Sequence, residues 1–120
     1  MKKYNIYGIG AALVDTEVEV SDAFLSKASI DKGVMTLVDE ARQTELIGSL
    51  SAQDSAMLRK SGGSVCNSVV AASSLGAQAF FSGKVADDED GQLYIDDLKE
   101  AGVDFHSAGQ ERGITGKCLV

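Results

Sequence analysis

Gly62-Gly63-Ser64-Val65-Cys66-Asn67, continuing through Ser68-Val69-Val70-Ala71-Ala72-Ser73-Ser74 to Leu75-Gly76-Ala77, decides how this chain is read. Adjacent glycines let backbone N–H groups approach a ligand with no Cβ in the way. A helix that starts directly after them aims its unpaired amides at the same point. Asn67 falls in the first turn, where its amide can donate and accept hydrogen bonds. Such a mouth suits a polyhydroxylated or anionic small molecule. Taken alone, the same residues also describe a tight turn followed by an ordinary packed helix. Ala71, Ala72, Ser73 and Ser74 permit close packing against a sheet, and Gly76 is placed to end the helix.

Strand and helix patterns alternate on both sides of this stretch. Tyr4 to Ile9 reads as a buried first strand, its end marked by Gly8 and Gly10. In Val14-Asp15-Thr16-Glu17-Val18-Glu19-Val20, β-branched residues alternate with acids, the period of a half-exposed strand. Ser21 to Lys32 is expected to form a short helix or loop around Phe24 and Leu25, and Val34 to Val38 a strand. Asp39 opens a helix through Leu50, with Ala41, Leu46, Ile47 and Leu50 as its apolar stripe, and Met57 to Ser61 leads as a strand into Gly62. Downstream, Gln78 to Val85 is a strand, and Asp87 or Asp88 caps a helix that turns Leu93, Tyr94, Leu98 and Ala101 inward. Gly102 closes that helix, and Val103 to His106 and Ile114 to Val120 are the remaining strands. This order predicts an α/β domain with a largely parallel sheet and no internal repeat or linker.

Composition narrows the function. The 120 residues suffice for one domain, and 44% hydrophobic content is that of a globular chain. Eleven basic against eighteen acidic residues gives a net charge of −7, with no cluster of Lys and Arg. Most of such a surface repels a phosphate backbone or an anionic membrane, so neither nucleic acid nor membrane is an expected partner. No apolar run approaches the ~20 residues that cross a bilayer, and Met1-Lys2-Lys3-Tyr4-Asn5 leads into no secretory h-region. Cytoplasm is the expected location. Cys66 and Cys118 fit neither a disulfide framework nor a CxxC pair and read as reduced thiols, and the single His106 makes zinc an unexpected ligand. Proline is absent, and Thr115-Gly116-Lys117-Cys118-Leu119-Val120 reads as a strand cut in mid-course. An open apolar strand end is an aggregation hazard, so the chain is expected to be a fragment of a longer polypeptide.

Two phosphate-binding motifs fail on inspection. In Gly8-Ile9-Gly10-Ala11-Ala12-Leu13 the third glycine of a dinucleotide fingerprint is Leu13, and a strand pattern follows where a helix should open. Gly113-Ile114-Thr115-Gly116-Lys117 is no P-loop, because Glu111 stands five positions before Gly116 and Cys118 replaces the magnesium-binding hydroxyl. Asp15, beyond the C-terminal end of the first strand, lies where open α/β sheets place ligands. Its carboxylate can accept two hydrogen bonds from a vicinal diol, although it is equally the first of three acids on a wet face.

Four segments together resemble the ribokinase-type carbohydrate kinases, the PfkB family, which includes the adenosine kinases. They are Gly8 to Asp15 (GIGAALVD), Gly62 to Gly76 (GGSVCNSVVAASSLG), Gly83 to Gly91 (GKVADDEDG) and Leu98 to Asp104 (LKEAGVD). The resemblance covers essentially the whole chain. Val65 and Val69 stand where the family usually has smaller residues, Ala86 replaces a common glycine, and Ala11 and Leu13 occupy places where relatives often carry an asparagine. The stretch from Val20 to Gly62, with Gly33 to Asp39 (GVMTLVD), looks like the adenosine-kinase-like branch.

The resemblance implies a ribokinase-like α/β fold, a mostly parallel sheet flanked by helices with a small β-lid, of which residues 1–120 would be the N-terminal part. Lid strands would fall at about 14–20 and 103–114. Asp15, Gly62, Gly63 and Asn67 would bind the hydroxyls of a sugar or nucleoside, the small-molecule partner. The implied reaction is transfer of a phosphoryl group from ATP, with Mg2+, to a hydroxymethyl group. The family's general base, the aspartate of a Gly-Ala-Gly-Asp-like loop, has no counterpart between Met1 and Val120. The chain alone is therefore expected to be inactive, with no catalytic or metal-ligating residue of its own and with ATP and Mg2+ bound mainly by later residues. Pairing of lid strands would give a homodimer, although the adenosine-kinase branch can be monomeric. The alternative is a non-catalytic small-molecule-binding or dimerisation module that retains only this half.

Overall fold

Helix-joined strands run parallel because a crossover helix returns the chain to the edge from which it started. The computed structural model, which describes residues 3–53, 56–107 and 112–120, follows that rule. Its elements are β1 (Ile6–Ile9), β2 (Leu13–Val18), α1 (Asp22–Lys27), α2 (Glu40–Ser51), β3 (Met57–Gly62), α3 (Ser64–Ser74), β4 (Ala79–Gly83), α4 (Glu89–Glu100), β5 (Val103–Ser107) and β6 (Gly116–Leu119). They make two three-stranded sheets, ordered β1-β4-β5 and β3-β2-β6. In the first, β4 lies parallel to β1 (Ile6 opposite Ala79) and to β5 (Ala79 opposite Val103). In the second, β2 and β6 are parallel, with Leu13 opposite Gly116 and Asp15 opposite Cys118. The chain divides into two compact units, Met1–Thr16 with Arg59–Val120, and Glu17–Leu58.

The first unit carries the core. Helix α3 packs on β1 and β4, and α4 packs on β5. Between them Val69, Phe81, Tyr94, Leu98 and Val103 are buried. Phe81 stacks on Phe105 at 5.8 Å and Tyr94 meets Phe105 edge-on at 6.0 Å. Burying a side chain of this size contributes about 1.5–3 kcal/mol, so this cluster is the main adhesive between helices and sheet. Glycines set the spacing. A Cβ on Gly8 would lie 2.6 Å from Val69 Cγ1 and 2.7 Å from Val65 Cγ1, and one on Gly10 would lie 2.8 Å from Val65 Cβ. The two valines that depart from the family pattern thus fill room that β1 vacates.

Strand β1 is buried on one face only, which corrects the sequence expectation. Gly8 points into the core, whereas Tyr7 is 57% and Ile9 73% exposed. Tyr7 instead stacks on Phe80 at 4.8 Å on the face of the sheet away from the core. Helix ends follow the sequence closely. Asp39 and Asp88 cap α2 and α4 by accepting hydrogen bonds from the amides of Arg42 and Gly91, each at 2.8 Å. Gly76 and Gly102, with φ of +93° and +73°, follow α3 and α4.

In the second unit, Ser21 caps α1 through the Phe24 amide at 3.2 Å. The Arg42 guanidinium of α2 donates to the Ala28 carbonyl and pairs with Glu45 at 2.8 Å. Leu46 and Leu50 are buried as expected, while Ala41, counted in the apolar stripe, is exposed. Val34 to Val38 is not a strand. It is irregular, with Val34, Met35 and Leu37 62%, 85% and 89% exposed. A strand exists only where a neighbour takes its backbone N–H and C=O groups, and no described strand pairs with this run.

The expected lid strand at 103–114 is also corrected. Residues 103–107 form β5, an edge of the first sheet against α4. The parallel partner of β2 is β6, and residues 108–111 of that expectation, with Glu111 among them, lie outside the described residues.

Candidate functional site

Strand β3 ends at Gly62, and α3 begins at Ser64 with Gly63 as its N-cap residue. Gly63 offers no capping side chain, so among the described residues the first amides of α3 have no side-chain acceptor. Its φ of +98° belongs to glycine, and a Cβ there would lie 2.7 Å from the Ala11 carbonyl oxygen. At Gly62 a Cβ would sit 2.2 Å from Oδ2 of Asp15. The carboxylate of β2 therefore rests directly on Gly62. Asp15 is half-buried, and among the described residues its side chain makes no hydrogen bond. Its oxygens keep their lone pairs for a ligand.

The structure thus brings Asp15, Gly62 and Gly63 together. Asn67 stands one turn along α3, its amide donating to the Gly63 carbonyl at 2.9 Å. Its exposed side chain lines a cleft of about 270 Å³ with Lys60, Ser61, Val70, Asp97, Glu100 and Ala101, and Asp15 and the glycines are not among those walls. Asp15 lies on β2 opposite Cys118, within the strand that the alternation from Val14 predicts. Glu17, on the same strand, is exposed.

Helix α4 holds this arrangement in place through residues whose role the sequence reading missed. Tyr94, fully buried, donates its hydroxyl to the Gly62 carbonyl at 3.1 Å. Burial above all, then the Cys66 thiol and the Asp15 and Asp97 charges, pushes its phenol well above the usual range, so it remains a donor. Asp97 accepts from the Ser61 amide at 2.7 Å, fixing the residue before the glycines. The available signal was the phenol on the inward stripe of α4, because a buried hydroxyl has to find an acceptor.

At the other end of α4, Asp88 accepts from the Thr115 hydroxyl at 2.6 Å, the Thr115 amide at 2.8 Å and the Gly91 amide at 2.8 Å. The Thr115 hydroxyl in turn accepts from the Ala86 amide at 3.0 Å. Burial raises the Asp88 carboxyl. Against it, the bonds from Thr115 and Gly91 and the charge of Lys117 prevail, leaving the group below its ordinary 3.8. A depressed carboxyl stabilises the fold above its unfolded pKa, and that contribution disappears as pH falls through the lower folded value. Acid titration followed by circular dichroism is therefore expected to show stability declining below about pH 4. Asp88→Asn flattens that part of the curve, and a variant curve parallel to the wild type would refute the assignment.

No helix among the described residues is long and apolar enough to cross a membrane. Residues 28–120 match the family model of the pfkB family carbohydrate kinases. No curated protein matches the sequence. Among solved structures, a probable sugar kinase from Rhizobium etli CFN 42 is similar at 28% identity and a TM-score of 0.81, over 99% of this chain and 35% of that one. The adenosine kinase from Sinorhizobium meliloti is 32% identical with a TM-score of 0.74, over 99% of this chain and 33% of that one. An adenosine kinase from Schistosoma mansoni, solved with adenosine, shares the fold at a TM-score of 0.83 and 18% identity, over 100% of this chain and 36% of that one. The chain spans about a third of the length of these structures.

Proposed function

The chain belongs to the pfkB family of carbohydrate kinases, and from that premise we propose that it supplies the acceptor-binding part of an ATP-dependent sugar or nucleoside kinase. The observation that carries the reading is the half-buried Asp15 carboxylate resting on Gly62, with no hydrogen bond among the described residues. A carboxylate in that condition accepts two hydrogen bonds from a vicinal diol. Gly62 and Gly63 let the sugar ring approach the backbone, and the uncapped first turn of α3 presents amides to the same hydroxyls. Asn67, one turn further, would close on a ring or base that extends toward its cleft. Sheet β3-β2-β6 is the proposed lid, which excludes water that would compete for the phosphoryl group.

Phosphoryl transfer rests on positioning and on stabilising charge, and in this family ATP with Mg2+ supplies the phosphoryl group. Among the described residues no group of three or more His, Cys, Asp or Glu is placed to hold a metal ion. The part proposed for the residues present is to bind and orient the acceptor. Adenosine heads the substrate list because the Sinorhizobium meliloti relative is an adenosine kinase. Calorimetric titration of the protein with adenosine, inosine, ribose and fructose tests the reading. Saturable binding of at least one is expected, with adenosine tightest. Absence of heat with all four would reject it.

A further inference from the structure

Asp90, in the first turn of α4, is only 6% exposed, a burial that a carboxylate tolerates only when paired. Two cations reach it. Arg59 Nη1 of β3 lies 3.0 Å from one oxygen, and Lys117 Nζ of β6 lies 2.6 Å from the other. The second guanidinium nitrogen of Arg59 pairs with Glu89 at 2.5 Å. Strands β3 and β6 flank β2, the strand that carries Asp15. Lys117 stands opposite Val14, and its neighbour Cys118 stands opposite Asp15. Arg59 lies three residues before Gly62 on the strand that delivers the glycine pair. One buried carboxylate therefore ties both neighbours of the Asp15 strand to α4, whose Tyr94 and Asp97 hold Gly62 and Ser61.

We infer that Asp90 is a positioning residue of the candidate site, bridging Arg59 and Lys117 across β2 and so setting where Asp15 stands relative to Gly62 and Gly63. The bridge touches no ligand. It acts by holding two strands against one helix turn, and Asp90→Asn removes the charge and one of the two oxygens, so that a single side chain no longer accepts from both Arg59 and Lys117. The two strands that flank β2 then lose a common anchor, and the carboxylate and the glycines drift relative to one another. That this geometry serves a sugar or nucleoside rests on the function proposed above; the bridge itself does not.

Two readouts separate the claims. In the unliganded protein, the 15N amide signals of Gly62, Gly63 and Ser64 are expected to shift in Asp90→Asn, while that of Ala79 on the first sheet stays in place. Adenosine affinity, measured by calorimetry, is expected to fall about tenfold in the same variant, and Arg59→Lys, which keeps a cation but loses the fork that reaches both Asp90 and Glu89, is expected to fall in the same direction. Unmoved Gly62–Ser64 signals would overturn the inference whatever adenosine does. Moved signals in a protein whose wild type binds no adenosine would support the bridge and reject the substrate reading. Where Asp90→Asn does not fold, Lys117→Met leaves Asp90 paired with Arg59, and the same amide signals decide the matter.

Discussion

Asp15→Ala is expected to weaken adenosine binding by about a hundredfold or more in calorimetric titration, with thermal unfolding little changed. Each hydrogen bond to a charged acceptor contributes about 1.5 kcal/mol or more, and two lost together make about 3 kcal/mol. The fold should scarcely notice, because the Asp15 side chain makes no hydrogen bond among the described residues. Its backbone pairing with β6 does not depend on the side chain. Asp15→Asn is the informative control. It preserves shape and one acceptor oxygen, so it should lie between wild type and alanine. Wild-type affinity in Asp15→Ala would remove the carboxylate from the site and, with it, the main support for the acceptor-binding reading.

Gly63→Ala is expected to destabilise the protein by about 3 kcal/mol or more, read as a fall of about 10 °C in thermal midpoint. Two costs combine. A φ of +98° is a region that L side chains rarely occupy, and the added Cβ meets the Ala11 carbonyl oxygen at 2.7 Å. That oxygen belongs to backbone between β1 and β2 and has little room to yield. Gly62→Ala should behave differently, because its Cβ would meet the end of the Asp15 side chain, which can rotate away. Stability would then fall modestly while adenosine affinity drops, Asp15 having been pushed from its place. Equal loss of stability in both variants would show that the two glycines are not distinguished by what they touch.

Local chemistry made most elements legible. Asp39 and Asp88 cap the helices that follow them, Gly76 and Gly102 close theirs, and the alternation from Val14 produced β2. These signals need only a few neighbouring residues, since caps, turn conformers and side-chain periodicity are short-range properties. The run Val34 to Val38 shows where such signals stop. Apolar composition is shared by buried strands and by exposed irregular chain, and only the presence of a pairing neighbour separates them. Likewise β5 and β6 read equally well as strands, and sheet membership assigned the first to β4 and the second to β2.

Residue identity and spacing along the chain determined the α/β class, the family resemblance, and the candidates Asp15, Gly62, Gly63 and Asn67. The tertiary structure alone decided that Asp15 touches Gly62 although forty-six residues lie between them in the sequence, and that Asn67 opens onto a cleft of its own. It alone placed the Tyr94 hydroxyl beneath Gly62 and Asp90 between Arg59 and Lys117. The division is physical: a cap or a positive φ is settled within one turn of chain, whereas the partner of a buried polar group is whichever distant strand or helix packing brings within 3 Å.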